Sequence, residues 1–248
     1  MKQLRFLATI LAATLTFVLF SCGSGGEKKT EETSTDTSKT QPSETTAEKT
    51  PESTTPAHIV TVKHRVANYS KWKMSYDADD SARRAAGLSN YVLARGLGKD
   101  SNIVMVVLKA NNIIKAKEFA SSTELSEVMK KAGVMGPPTI NYIDVVMDDN
   151  SQISHTDRLL VTHKVKDWDI WKTGFDSHKQ ARIDAGLTDR ALGHTSGDTH
   201  NVSIVLAVSD MAKAKAFIAS KDLKDKMTEA GVEGPPAFFF YKIVQVYQ

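Results

Sequence analysis

The chain has 248 residues, enough for two small domains and a tail. At 41% hydrophobic and 25% charged residues, its composition is that of a protein that buries a core. The formal net charge of +3 falls to +1 without Lys2 and Arg5 near the N-terminus. That bias is too small to argue for a nucleic-acid partner, and no RNP-like, helix-turn-helix or zinc-finger pattern is present.

The N-terminus reads as a leader. Met1 to Arg5 is a short positive stretch, Phe6 to Phe20 is uncharged and apolar, and Ser21-Cys22-Gly23 follows. The apolar run is shorter than the roughly 20 residues a bilayer span needs, so it reads as a secretory segment, residues 1–21, removed on export. Leu19-Phe20-Ser21-Cys22 resembles the lipobox of bacterial lipoproteins, which implies that the thiol of Cys22 is lipidated and that Cys22 becomes the new N-terminus. Cys22 is the sole cysteine, so the mature chain forms no internal disulfide and its domains hold by their cores. From Gly23 to Ala57 there is no Val, Ile, Leu, Met, Phe, Trp or Tyr. Residues 22–57 therefore read as a lipidated cysteine followed by a disordered Ser/Thr/Glu/Lys/Pro stalk, which cannot bury enough apolar surface to offset chain entropy. As a flexible chain it spans on the order of 30 Å. The expected location is the bacterial envelope, lipid-anchored, at the outer membrane.

The remainder repeats. Val62-Lys63-His64-Arg65-Val66 returns as Val161-Thr162-His163-Lys164-Val165, Trp72-Lys73 as Trp171-Lys172, and Ala86-Gly87-Leu88 as Ala185-Gly186-Leu187. Lys115-Ala116-Lys117-x-Phe119 returns as Lys213-Ala214-Lys215-x-Phe217. The segment Ala132-Gly133-Val134-x-Gly136-Pro137-Pro138 returns as Ala230-Gly231-Val232-x-Gly234-Pro235-Pro236. The spacing is 99 residues at the front and 98 at the back, which places the loss of one residue between the third strand and the second helix. The pattern is that of a tandem duplication, with modules at 58–150 and 151–248.

In the first module, alternation predicts a strand over Ile59–Val66 and helical periodicity spans Tyr69–Ala86, stopped by Gly87. Strands follow at Tyr91–Leu97 and Asn102–Lys109, joined by a turn at Gly98. A second helix runs over Ile113–Ala132, broken near Ser121-Ser122 where a serine can cap the second piece. Gly136-Pro137-Pro138 predicts a turn before the last strand, Thr139–Met147. The second module has counterparts at Leu159–Val165, Trp168–Ala185, Arg190–Leu192, Val202–Val208, Met211–Ala230 and Ala237–Val246. The order β-α-β-β-α-β is the ferredoxin-like split unit, an α+β class. A four-stranded sheet with helices on one face needs cover for the other. Two linked copies supply it if their bare faces meet, giving an intramolecular pseudo-dimeric α/β barrel and a monomer in solution.

The recurring set is a strand-1 histidine, a helical Trp-x3-(Tyr/Phe)-x6-Arg, and the closing Ala-Gly-Val-x-Gly-Pro-Pro. It resembles the dimeric α/β-barrel superfamily, near antibiotic-biosynthesis-monooxygenase-like proteins, over both repeats but not the stalk. The resemblance implies the barrel fold and, among activities, cofactor-independent oxygenase or isomerase chemistry; the superfamily also holds haem-handling members. Haem-degrading relatives rely on a ligand histidine in the second helix, and neither Ile113–Ala132 nor Met211–Ala230 has one.

On strand 1, Val60, Val62, His64 and Val66 share one face, which should meet the helices. Helix 1 carries Trp72, Tyr76, Asp79 and Arg83 at helical spacing, and its counterpart carries Trp171, Phe175, His178 and Arg182. Aromatic walls with an arginine suit a flat, partly anionic molecule. The same residues also suit a packed core. Asp79 and His178 are where the copies differ, so the second module is the expected better anion site, because Asp79 can neutralise Arg83. His155, His194 and His200 fall in predicted linkers or turns. No metal site, cofactor site, phosphate loop or nucleophile elbow is found.

Two functions fit. The preferred one is an envelope lipoprotein binding a small, largely apolar or aromatic ligand, or a protein partner, at the membrane surface. The alternative is a cofactor-independent monooxygenase or isomerase with His64 or His163 as general base. Binding is preferred because only one titratable group recurs on the apolar face of strand 1. The anchor reading is checked by Cys22→Ser, which is expected to release the protein from membranes. Unchanged membrane fractionation would show that an uncleaved leader holds it instead.

Overall fold

Alternating β-branched residues make His58–Val66 a strand whose two faces differ in chemistry. Val60, His64 and Val66 are buried on one side, whereas Ile59, Thr61 and Lys63 point to the other. The computed structural model of the protein describes residues 58–247, and the leader, Cys22 and the stalk lie outside them.

The first module comprises β1 (His58–Val66), α1 (Tyr69–Ala78), α2 (Asp80–Ala85), β2 (Leu88–Gly96), β3 (Ile103–Ala110), α3 (Ile113–Ala120), α4 (Thr123–Ala132) and β4 (Val134–Asp148). The second comprises β5 (Asp157–Val165), α5 (Trp168–Ser177), α6 (Lys179–Asp184), β6 (Leu187–Thr195), β7 (Asp198–Val208), α7 (Met211–Ile218), α8 (Lys221–Glu229) and β8 (Val232–Val246). The eight strands close into one barrel in the order β1-β3-β2-β8-β5-β7-β6-β4, every neighbour antiparallel. This is the α+β fold of the dimeric α/β barrels, closed within one chain. None of the described helices is long and apolar enough to cross a membrane.

Several elements differ from the sequence reading for identifiable reasons. The predicted first helix is two, because the chain turns at Asp79 in one module and at His178 in the other. In the second module the Phe175 carbonyl accepts Arg182 Nη1 at 2.6 Å beside the His178 amide at 3.3 Å, so the guanidinium shares the carbonyl where the helix breaks. The break at Ser121-Ser122 falls as expected, with the Ser122 hydroxyl accepting from the Leu125 amide at 3.1 Å. Gly136-Pro137-Pro138 does not end before the strand but lies inside β4. There it forms a bulge across from His64, between the Lys63–Thr139 and Arg65–Met135 pairs. Gly136 holds φ +74°, open to glycine, and a bulge is where a sheet tolerates proline. The same bulge lies opposite His163, between Thr162–Ala237 and Lys164–Glu233.

The change of spacing from 99 to 98 residues also sits elsewhere than expected. Val104 faces His64 and Val202 faces His163, so the 98-residue spacing already holds in β3 and β7. The spacing changes in the hairpin after β2, where a turn shorter by one residue leaves the ladder intact. His194 and His200 belong to β6 and β7 rather than to turns, since β6 and β7 extend beyond the ranges that apolar alternation marked.

Closure depends on β4 and β8, fifteen residues each. β4 pairs with β1 of its own module through Asp144 and with β6 of the other from Ile143 to Asp148. β8 does the same with β5 and β2. At the β4–β6 seam a Cβ on Gly193 would lie 2.4 Å from the Asp144 carbonyl oxygen, so the approach requires glycine. Three apolar clusters result. Two lie between a sheet and its helices, around Trp72 and Leu93 and around Trp171 and Leu192. The third, with Met105, Phe239 and Tyr241, lies between the two sheets. A single module exposes that inner face and two strand edges. Residues 58–150 expressed alone are therefore expected to dimerise or aggregate. A well-behaved monomer by sedimentation would contradict the shared-core account.

Candidate functional site

The residues singled out on β1 and the first helices do come together, in two equivalent clefts between sheet and helices. His64, Trp72, Tyr76, Asp79 and Arg83 line one, and His163, Trp171, Phe175, His178 and Arg182 line the other. The aromatic order is the same in both. His64 lies 5.5 Å from Trp72, which stacks on Tyr76 at 5.0 Å. His163 lies 5.4 Å from Trp171, which stacks on Phe175 at 5.2 Å. Arg83 and Arg182 close each stack by lying over Tyr76 and Phe175 at 3.7 and 3.6 Å. The clefts are small, about 80 and 70 Å³.

The arginines have partners that helical spacing did not reveal. Arg182 donates to both carboxylate oxygens of Asp189, at 2.8 and 2.7 Å, and to the Phe175 carbonyl. In the first module Asn90 stands where Asp189 does, and Arg83 Nε reaches it at 3.2 Å. Arg83 lies 3.8 Å from Asp79 and 3.4 Å from Asp80. Arg182 is thus not a free cation, since a buried bidentate carboxylate occupies it, and Arg83 is engaged by its two acids at longer range. His178 does not sit beside Arg182 as a second imidazole but turns to Asp222 at 3.1 Å. Burial raises the Asp79 carboxyl above its ordinary value, opposed by Arg83. Asp189 and Asn90 lie on β-strands seven residues beyond their arginines, outside the helical pattern that drew attention to the stripe.

His64 and His163 are only 6% and 7% exposed, and neither ring has a hydrogen-bond partner among the described residues. Desolvation by burial lowers each to about 4, so both imidazoles are neutral at pH 7.

A larger space lies where the two sheets face each other. The barrel lumen encloses about 580 Å³ and opens toward the connector that follows Asp148. Its wall includes Thr61, Leu160, Ser203 and Tyr241, with Arg158 and Arg190 near the connector. Neither arginine was singled out in sequence, since Arg158 fell just before a predicted strand and Arg190 at the start of a short one. An available signal was the repeat itself, in which Ile59 and Tyr91 hold the equivalent positions.

No family model matches the chain, and no curated protein matches it in sequence. Solved structures share the fold. A candidate monooxygenase from Fusobacterium nucleatum subsp. nucleatum superposes with a TM-score of 0.51 at 12% identity, covering 78% of this chain and 94% of its own. An anthrone oxidase-like protein superposes with a TM-score of 0.51 at 11% identity, covering 77% and 93%. At these identities the likeness is one of fold.

The neutral histidines carry a pH prediction. A group whose folded pKa lies near 4 and whose unfolded pKa is 6.5 binds its proton more readily in the unfolded chain. Its contribution to stability is therefore complete above pH 6.5 and is lost as pH falls toward 4, on the order of 3 kcal/mol per histidine. Chemical denaturation between pH 7.5 and 4 should show this slope, and His64→Leu combined with His163→Leu should flatten it. An equal slope in the variant would mean the imidazoles do not resist protonation.

Proposed function

We propose that this chain is a lipid-anchored binding protein of the bacterial envelope that holds a small, largely apolar molecule in its barrel lumen. The observation that carries the reading is volume. Pockets for organic ligands enclose roughly 300–1,000 Å³, and the lumen lies within that range while the two helix-side clefts fall far below it. The lumen wall mixes aliphatic and aromatic side chains with polar and charged ones, among them Thr61, Asn141, Ser203, Arg158 and Arg190, which could orient a bound molecule. The leader and Cys22 support attachment to a membrane, and the stalk would carry the barrel clear of it.

A second reading, cofactor-independent oxygenase or isomerase, draws on the histidines. A neutral, unpartnered imidazole is the form a general base needs, though burial that holds its pKa near 4 makes it a weak one, and the fold is shared with proteins described as monooxygenases. Both arginines are already engaged, Arg182 by Asp189 and Arg83 by Asp79 and Asp80, so an enolate would have to displace a carboxylate at either one. Against it stands the size of the clefts, which a substrate would have to enlarge by displacing Trp72 or Trp171.

Native mass spectrometry of the protein from its own host separates the readings. The expected result is a retained organic mass that Ser203→Trp, which fills the lumen from β7, removes. Retention in that variant would sink the lumen reading. Dioxygen uptake with anthrone, lost on replacing His64 and His163 with Ala, would favour the catalytic one; none is expected.

A further inference from the structure

The two halves of the lumen wall differ in a way that selects a ligand class. β1 and β5 run in the same direction about the barrel, so equivalent residues of the two modules stand at the same end of the lumen. In the first module Ile59 pairs across to Ile143, an apolar couple. The equivalent couple in the second module is Arg158 and Tyr241, directly opposite each other on β5 and β8. All four side chains line the lumen.

Arg158 is 7% exposed. Its Nη1 donates to the carbonyls of His155 and Asp157, at 2.6 and 2.9 Å. Among the described residues no carboxylate lies within ion-pair distance of it, in contrast to Arg83, Arg182 and Arg190. The acids at this end are engaged elsewhere. Asp149 accepts from Arg190 Nη1 at 3.0 Å and from the Ser151 amide at 3.0 Å, and Asp148 accepts from the Tyr91 hydroxyl at 3.1 Å. Burial works against the Arg158 charge, Arg190 adds a like charge, and Asp157 adds an opposing negative field. A guanidinium cannot shed its proton to escape burial as His64 and His163 do. It instead needs negative charge or polar oxygen within the cavity. The Tyr241 phenol, pushed up by burial, stays protonated and can donate beside it.

We propose that the lumen binds an amphipathic organic anion, its oxyanion head held by Arg158 and Tyr241 and its apolar body lying against the Ile59–Ile143 wall. This deepens the lumen-binding reading and rests on it. Only Nη1 of Arg158 is engaged by backbone carbonyls, which leaves Nε and Nη2 without a partner among the described residues, a fork that matches a carboxylate or a sulfonate.

Two fluorescent probes with one skeleton test the head group. 8-Anilinonaphthalene-1-sulfonate carries an anionic head, and N-phenyl-1-naphthylamine lacks it. Titration uses the full chain carrying Cys22→Ser, so that no lipid is attached. The anionic probe is expected to bind at least tenfold tighter, and Arg158→Gln to weaken it about ten- to a hundredfold while leaving the neutral probe unchanged. Arg84→Gln, on the exposed surface, should leave both probes unchanged. If Arg158→Gln does not fold, Tyr241→Phe provides the same comparison with a severalfold loss for the anionic probe alone. Equal affinities, or an anionic probe indifferent to these variants, overturns the anion assignment. The lumen reading survives that result provided Ser203→Trp still expels the neutral probe. Failure of both probes to bind, or binding that Ser203→Trp leaves intact, overturns both.

Discussion

The structure depends on two strands that each serve two sheets. β4 and β8 begin as the last strand of their own module and continue past its edge into a ladder with the other module. That shared pairing leaves no unsatisfied strand edge on the barrel. It also brings two inner sheet faces together, so that Met105, Phe239 and Tyr241 are buried by a partner module instead of by helices. Without the extensions each module would be a half-covered sheet. With them, the chain encloses a lumen.

The helix-side clefts and the lumen obey different constraints. In the clefts Trp72 stacks on Tyr76 and Trp171 on Phe175, and an arginine lies over the second ring of each pair, so little space remains around them. Asn90 facing Arg83 and Asp189 facing Arg182 form a matched pair there, since both supply an oxygen acceptor at the same place. The lumen is roomy, and a side chain there meets cavity more than neighbours. Equivalent positions have diverged further: Ile59 against Arg158, Ile143 against Tyr241, Tyr91 against Arg190. Packing density limits change in the first setting far more than in the second.

Burial of ionisable groups follows the same division. His64 and His163 tolerate apolar surroundings by remaining neutral, with the Gly-Pro-Pro bulge opposite them in each module. Arg158 has no neutral form to retreat to; it lines the lumen, with Nη1 on two backbone carbonyls. A buried cation is costly without an anion, and its placement at the more polar wall gives the lumen two unlike sides. An isolated apolar core has no use for that arrangement.

Element type and order were legible in sequence because they rest on local rules. Alternation marked β1 and β5, helical spacing gathered Trp72, Tyr76 and Arg83, and Ser122 announced the cap that splits the second helix. The barrel itself was legible too, since a repeated sheet with helices on one face has few ways to cover the other. Gly136-Pro137-Pro138 misled because proline reads locally as a turn, whereas a bulge opposite His64 depends on the neighbouring strand. Asp189 stayed hidden because its partner Arg182 is met across a helix–strand contact that no single periodicity spans. The volumes, about 580 Å³ against 70 and 80 Å³, were beyond any linear pattern. Space is what remains after distant side chains have packed. The sequence by itself determined which residues face the helices; only the tertiary structure decided that those faces fill with their own side chains, while the opposite faces leave room for a ligand.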